Sequence, residues 1–299
     1  MMERDAIFHQ DLETTMTTDT PFKPGNCAVV TGGASGIGLA AAKRFAAMRL
    51  NVVVADLPGA ALDKAADEVA AVSPNGAKGV LAAPTNVSQL AAVEALERTA
   101  TSAYGPVAVL MSNAGIGPAS SALGDWESWR RIVDVNLWGV IHGAKTFAPG
   151  MIASQRPAVI VNTGSKQGVT TPPGNPAYNV SKAAVKVFTE ALQHELRNVA
   201  DCKVTAHLLI PGFVFTSMTA GARTEKPAGA WTPEQTIDFM MKEIRAGTFY
   251  ILCPDGETSR ALDERRMAWA IGDVIENRPP LSRWHKDYAD VFKKSVADL

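Results

Sequence analysis

The chain has 299 residues, of which 46% are hydrophobic and 20% charged, and its formal net charge is −1. That apolar content supports a substantial core and excludes general disorder. The near-neutral balance gives no electrostatic reason to expect nucleic acid or an anionic membrane as partner.

Residues 1–24 are rich in Thr and acidic side chains and lack a basic stretch followed by an apolar one. They read as a disordered leader, not a signal peptide. From residue 25 to 256 short apolar runs alternate with helical patterns. The runs fall at 27–31, 51–55, 79–83, 107–112, 158–163, 203–210 and 249–253. Most are continuously apolar and rich in β-branched residues, as strands buried on both faces are. Helices are expected from Ile37, after Pro58, from an N-cap at Ser88 to Gly105, from Trp126 through Met151 with Pro149 bending or ending it, and over 177–199. This alternation predicts an α/β fold: one domain with a Rossmann-like, doubly wound parallel sheet of about seven strands. Residues 257–299 read as a C-terminal helical extension of that domain. No stretch of about 18 apolar residues is present, so no membrane span is expected.

The first run leads directly into Gly32-Gly33-Ala34-Ser35-Gly36-Ile37-Gly38, where a helix begins. Glycines let backbone approach a pyrophosphate, and the N–H groups of a helix N-terminus favour its charge. No Lys-Ser/Thr pair follows, so this is not a Walker loop. Asp56 ends the second run, 18 residues after Gly38. A carboxylate there accepts hydrogen bonds from an adenosine ribose and repels a 2′-phosphate, and neither Ser35, Ala55 nor Leu57 offers a cation to bind one. NAD is therefore favoured over NADP. A surface Asp opening the turn before Pro58 is the plainer alternative.

Further along, Tyr178 and Lys182 lie one helical turn apart and share a face. An ammonium beside a phenol stabilises phenolate, which lets tyrosine exchange a proton near neutral pH. Ser165 ends the fifth run, where strand C-termini meet the ligand crevice. Asn136 sits in the long helix before it, and Asn113-Ala114-Gly115 follows the fourth run.

Taken together, TGGASGIG at 31–38, Asp56, SNAG at 112–115, Asn136, Ser165, YNVSK at 178–182 and PGFVFT at 211–216 resemble the short-chain dehydrogenase/reductase family in its single-domain form. The resemblance covers about residues 26–216. It implies an oxidoreductase that moves a hydride between NAD(H) and a secondary alcohol or ketone. Tyr178 would be the acid/base, Lys182 would hold the nicotinamide ribose and tune the phenol, Ser165 would orient the substrate oxygen, and Asn136 would hold a water in a proton relay. Gly32, Ser35, Gly36, Ile37 and Gly38 would form the pyrophosphate loop, and Asn86 and Val87 would lie near the adenine. Asn113 and Gly115 would flank the cofactor, with Asn113 steadying the central strands. Pro211, Gly212, Val214 and Thr216 would meet the nicotinamide. A lyase or epimerase with retained NAD, and a non-catalytic NAD sensor, are the alternatives.

Three departures from the family pattern stand out. Asn86 replaces an Asp, Lys166 stands where small residues are usual and is expected at the pocket rim, and the tail is long. Residues 259–277 read as an amphipathic helix packed over the sheet edge. The segment 168–176, the loop after Gly212, and Trp231 are expected to shape the substrate pocket, and Phe213, Phe215 and Trp231 suggest a fairly apolar ligand. His142, His194 and His207 read as structural, and His285 as an interface residue. Cys27, Cys202 and Cys253 show no metal spacing, so no metal is expected, and they fit a reducing cytoplasm. Apolar residues crowding the helices around Asn136 and Tyr178 suggest a homodimer or homotetramer, the family's usual helix-pair association.

Overall fold

The computed structural model describes residues 20–256 and 258–297. Seven parallel strands form one sheet: β1 (Cys27–Thr31), β2 (Asn51–Asp56), β3 (Val80–Pro84), β4 (Val107–Ser112), β5 (Ala158–Thr163), β6 (Val204–Ile210) and β7 (Tyr250–Leu252). Their spatial order is β3-β2-β1-β4-β5-β6-β7. β1, β4 and β5 are buried at every position, as continuous apolar runs covered on both faces must be. The order reverses between β1 and β4, and the C-terminal ends of those strands open the crevice in which such sheets bind ligands.

The helices are α1 (Gly36–Ala47), α2 (Ala60–Val72), α3 (Leu90–Tyr104), α4 (Trp126–Val133), α5 (Gly139–Ala153), α6 (Gln167–Thr170), α7 (Pro176–Asn198), α8 (Ser217–Ala220), α9 (Pro233–Arg245), α10 (Arg260–Ile275) and α11 (Ala289–Ser295). One face of the sheet packs against α1, α2 and α9 through Phe45, Leu62, Ile237 and Met240. The other packs against α3, α5 and α7 through Leu96, Phe147, Met151 and Leu196. None of the helices among the described residues is long and apolar enough to cross a membrane.

Several expectations need correction. The leader expected over 1–24 lies outside the described residues up to 19, but 20–24 belong to the fold. Phe22 is buried, with its ring stacked on Phe45 at 5.9 Å. Ser88 is not a helix cap: Gln89 is, because the Asn86 side chain accepts the Ser88 N–H and holds that residue in a turn. The long helix is helical throughout 126–153, but Asp134–Trp138 within it is a π-helical turn between α4 and α5. Pro149 neither ends α5 nor is buried in it. It faces water, where the carbonyl it leaves unbonded can be solvated, while Phe147 and Met151 anchor the helix.

The tail is tied down by polar contacts. Ser259 caps α10, Trp269 Nε1 donates to Ser282 Oγ at 2.8 Å, and Asp273 accepts from both the backbone and hydroxyl of Ser282. The Arg278 guanidinium stacks over Trp269 at 4.3 Å. Among the histidines, His142 Nδ1 meets the Val87 carbonyl at 2.9 Å and His207 Nδ1 the Thr248 carbonyl at 2.8 Å, while His285 is exposed near Asp287. Cys27 and Cys253 are buried thiols, each pushed up to about 12 by desolvation, and Cys202 is half-buried.

Candidate active site

A cleft of about 840 Å³ lies across the C-terminal ends of β1, β2, β4 and β5, within the range of small-molecule and cofactor sites. Its floor begins at the turn after β1. Gly32 has φ +65°, and a Cβ there would come within 2.7 Å of the Ala114 backbone. Gly36 has φ +51° and faces Thr216, whose methyl would be 3.0 Å from an added Cβ. A Cβ on Gly38 would strike the Gly32 carbonyl at 2.1 Å, so Gly38 lets α1 pack against the turn and is not itself part of the cleft wall. Ser35 makes no side-chain cap. The first-turn N–H groups of Gly36 and Ile37, both on the cleft, are thus available to an anion.

At one end of the cleft Asp56 Oδ2 accepts from Ala34 N–H at 2.9 Å and Oδ1 from Leu57 N–H at 2.8 Å. These bonds fix the carboxylate's orientation and brace the glycine turn. Thr85, Asn86, Val87 and Ser88 continue this end. In the middle, Asn113 Nδ2 donates to the Thr31 and Gly32 carbonyls, both at 3.3 Å, and its backbone N–H reaches Thr31 Oγ1 at 3.0 Å. Thr163 Oγ1 donates to Asn113 Oδ1 at 3.4 Å, so one side chain links β1, β4 and β5.

The other end gathers Ser165, Tyr178 and Lys182. Asn175 caps α7 and Pro176 opens it, which places Tyr178 in the first turn and Lys182 one turn on. Lys182 is buried; its ammonium donates to the Thr163 carbonyl at 2.8 Å and stands 5.8 Å from the Tyr178 ring centre. Burial drives its pKa down to about 8. The Tyr178 phenol is pushed above its ordinary value by burial, and a hydrogen bond with Ser165 opposes that shift. The Lys182 ammonium is directed at the Thr163 carbonyl, and burial is the largest influence on the phenol.

Every candidate lines this cleft except Gly38 and Asn136. Asn136 is fully buried in the π-helical turn. Its Oδ1 accepts from Ile116 N–H at 2.8 Å, and its Nδ2 donates to the Ile116 carbonyl at 2.9 Å and to Ser181 Oγ at 3.2 Å. Lys166 is not at the rim. Its ammonium turns away, to Asp263 at 2.5 Å and Asp255 at 3.3 Å.

The expected substrate wall is also revised. Phe213, Phe215, Trp231 and the segment 168–176 are absent from the cleft lining, and Trp231 packs edge-on against Phe239. Their place is taken by Ile116, Gly117, Pro118 and Met218. A Cβ on Gly117 would sit 3.7 Å from the Tyr178 ring and 3.8 Å from the Met218 sulfur, so these groups surround the same space. The loop after Gly212, expected at the pocket, does line the cleft through Val214 and residues 216–219, Met218 among them; nothing local marked Ile116 or Pro118.

These residues fit a dinucleotide: open helix N–H groups lie at the centre, a carboxylate at one end and a hydroxyl–phenol–ammonium group at the other. The family model for short chain dehydrogenase matches residues 26–227. A 1-deoxy-11-beta-hydroxypentalenate dehydrogenase of Streptomyces exfoliatus is 33% identical over 263 residues, covering 86% of this chain and 93% of the relative. Galactitol 2-dehydrogenase (L-tagatose-forming) of Cereibacter sphaeroides is 37% identical over 208 residues, 68% of this chain and 76% of its own. A solved short chain dehydrogenase/reductase from Burkholderia phymatum, in complex with NAD, superposes with a TM-score of 0.76 at 31% identity, covering 87% of this chain and 97% of that one.

Proposed function

The chain belongs to the short-chain dehydrogenase family, and from that premise we propose that it is an NAD(H)-dependent oxidoreductase interconverting a secondary alcohol and its ketone, with Tyr178 as proton acceptor and donor. The observation that carries this reading is the convergence of Ser165, Tyr178 and Lys182 at one end of a cleft whose other end is Asp56. When bound, nicotinamide dinucleotide supplies the hydride acceptor or donor.

This chain's own residues do the rest. Gly36 and Ile37 offer N–H groups to the pyrophosphate, and the anchored Asp56 carboxylate accepts from the adenosine ribose and repels a 2′-phosphate. Ser165, already hydrogen-bonded to the phenol, orients the substrate oxygen beside it. In alcohol oxidation Tyr178 Oη takes the hydroxyl proton; in ketone reduction it returns one. The Lys182 ammonium, buried and close to the ring, favours the phenolate when that proton leaves. Asn136 positions the strand-end segment at Ile116, which forms part of the substrate wall.

That wall carries no ionisable side chain at Ile116, Gly117, Pro118 or Met218, so the substrate is a fairly apolar small molecule. The names of the two relatives place their reactions at hydroxyl-bearing carbons, which agrees with this chemistry. Unpaired cysteines suit a reducing cytoplasm. The test is absorbance of the reduced nicotinamide during incubation with alicyclic secondary alcohols and either NAD or NADP. Growth of absorbance with NAD, lost in Tyr178→Phe, is expected. Substrate turnover with no net change in absorbance would instead identify a lyase or epimerase, and binding without turnover of any alcohol or ketone would favour a sensor.

A further inference from the structure

We propose that Lys166 is a positioning residue for the end of the cleft at Pro211, Gly212 and Val214, and that through Asp263 the C-terminal segment is a working part of the active site. This rests on the reading of that end as the nicotinamide site.

Lys166 follows Ser165 in the chain, and its backbone N–H donates to the Pro211 carbonyl at 3.1 Å. Its side chain leaves the cleft and enters a buried charge cluster. The ammonium is 2.5 Å from Asp263 Oδ2, on α10, and 3.3 Å from Asp255 Oδ1, just beyond β7. The second oxygen of Asp255 accepts the Phe213 N–H at 2.9 Å. One lysine therefore connects three segments distant in sequence: the strand end bearing Ser165, the loop 211–214, and the tail.

The packing leaves that loop little freedom. A Cβ on Gly212 would lie 2.0 Å from Asp255 Oδ2 and 3.1 Å from Lys166 Cε, so the Gly212 backbone rests directly on the ion pair. Arg266 Nη1 stands 3.7 Å from the other oxygen of Asp263, giving two cations against two carboxylates. Buried charges persist where each has a partner, and loss of one partner leaves the remainder uncompensated in a medium that screens poorly. Without the Lys166 charge, Asp255 and Asp263 repel each other. Asp255 then loses the geometry that holds Phe213, and Pro211, Gly212 and Val214 move with it. Without the Asp263 charge, α10 loses its ionic link to the cleft while its Trp269 and Ser282 contacts remain.

The experiment compares the full-length protein with Lys166→Met and Asp263→Asn, near-isosteric changes that remove one charge each. Two readouts are used: NADH binding, from protein fluorescence transferred to the reduced nicotinamide, and amide hydrogen exchange resolved along the chain. Expected are a Kd for NADH raised about 5- to 30-fold and faster exchange at Phe213 and its neighbours, with β1, β4 and β5 unchanged. A folded variant with wild-type Kd and unaltered exchange at Phe213 overturns the proposal, and so does an acceleration spread evenly over the sheet, which marks a purely structural role. If Lys166→Met does not fold, Asp263→Asn decides: it leaves Lys166 held by Asp255 alone and removes the brace that α10 gives the pair beneath Gly212 and Phe213, so a raised Kd with faster exchange at Phe213 supports the proposal and a folded variant unaltered in both overturns it. If the unaltered protein binds no NADH, the nicotinamide reading fails, and the Phe213 exchange still decides whether Lys166 positions the loop.

Discussion

The Asn136 side chain and the Ile116 backbone exchange two hydrogen bonds, N–H to Oδ1 at 2.8 Å and Nδ2 to carbonyl at 2.9 Å. A carboxamide presents a donor and an acceptor side by side, so it completes both backbone groups of one residue as a neighbouring strand would. This carries the segment after β4 past the end of the sheet and sets Ile116, Gly117 and Pro118 against the cleft. Asn136→Ala leaves both groups of Ile116 without that partner in a half-buried site. A loss of about 2–4 kcal/mol in urea unfolding is expected, with turnover reduced. Asn136→Asp, which keeps the acceptor, should be less damaging to stability only where its carboxyl is protonated.

Tyr178→Phe keeps the ring and removes the proton. A fall in kcat of about 10²–10⁴-fold is expected, with NADH affinity nearly unchanged, because the glycine turn and Asp56 are untouched. Because burial raises the phenol above its ordinary value, the proton-accepting form is scarce at neutral pH. Alcohol oxidation should therefore accelerate as pH rises, and ketone reduction should slow. An oxidation rate flat from pH 6 to 10 would show that another group accepts the proton.

Lys182 makes a stability prediction of the opposite sense to its catalytic one. Its folded pKa, about 8, lies below the ordinary lysine value of 10.5, so above pH 8 the unfolded chain holds more protons than the folded one. Stability consequently rises with pH between about 8 and 10.5, and the cost of burying the charge is fully present below 8. Lys182→Met removes that cost but also leaves the Thr163 carbonyl without its donor. A net gain of about 1–2 kcal/mol at pH 7 is expected, together with near-complete loss of activity and a flatter pH–stability curve. Chemical denaturation at pH 7 and 9 checks both.

Asp56 serves two purposes, and substitution should show both. Asp56→Ala with Leu57→Arg adds a cation at an exposed position beside the proposed ribose site and should shift preference toward NADP(H). The same change removes the acceptor from Ala34 N–H and Leu57 N–H, so kcat/KM with NAD should fall further than the value with NADP rises. Equal kcat/KM for the two cofactors in the unaltered protein would contradict the reading.

Assembly follows from side chains left uncovered. On α4, the π-helical turn and α7, Trp126 is 84% exposed, Trp138 47% and Val187 63%. We propose that an isologous pairing of these helices covers them. Light scattering should give a dimer or tetramer mass, and Val187→Glu with Trp138→Glu should lower it. A monomer mass for the unaltered protein across micromolar concentrations overturns the proposal.

Much of this was legible along the chain because it is local. A continuously apolar run such as 158–163 declares a strand covered on both sides; glycines 32, 36 and 38 beside Ser35 declare a turn into a helix; Tyr178 and Lys182 declare a shared face. Each depends on residues a few positions apart, and the resemblance joined them into one site. Other features depended on partners far away in sequence. Trp231 and Phe213 are apolar residues near the right loop, yet Trp231 was captured by Phe239 and the cleft was walled by Ile116, Pro118 and Met218 instead. Lys166 stood beside Ser165 in sequence and left the site because two carboxylates, at 255 and 263, compensate its charge in the interior. The Tyr178 phenol stands one helical turn from an ammonium, yet burial raises it, because desolvation is a property of everything packed around the ring. Periodicity and motif spacing determined the sheet, its helices and the residues that the resemblance joins into a candidate site; which long-range partner claims each side chain, and how much water it loses, was decided only when the chain closed on itself.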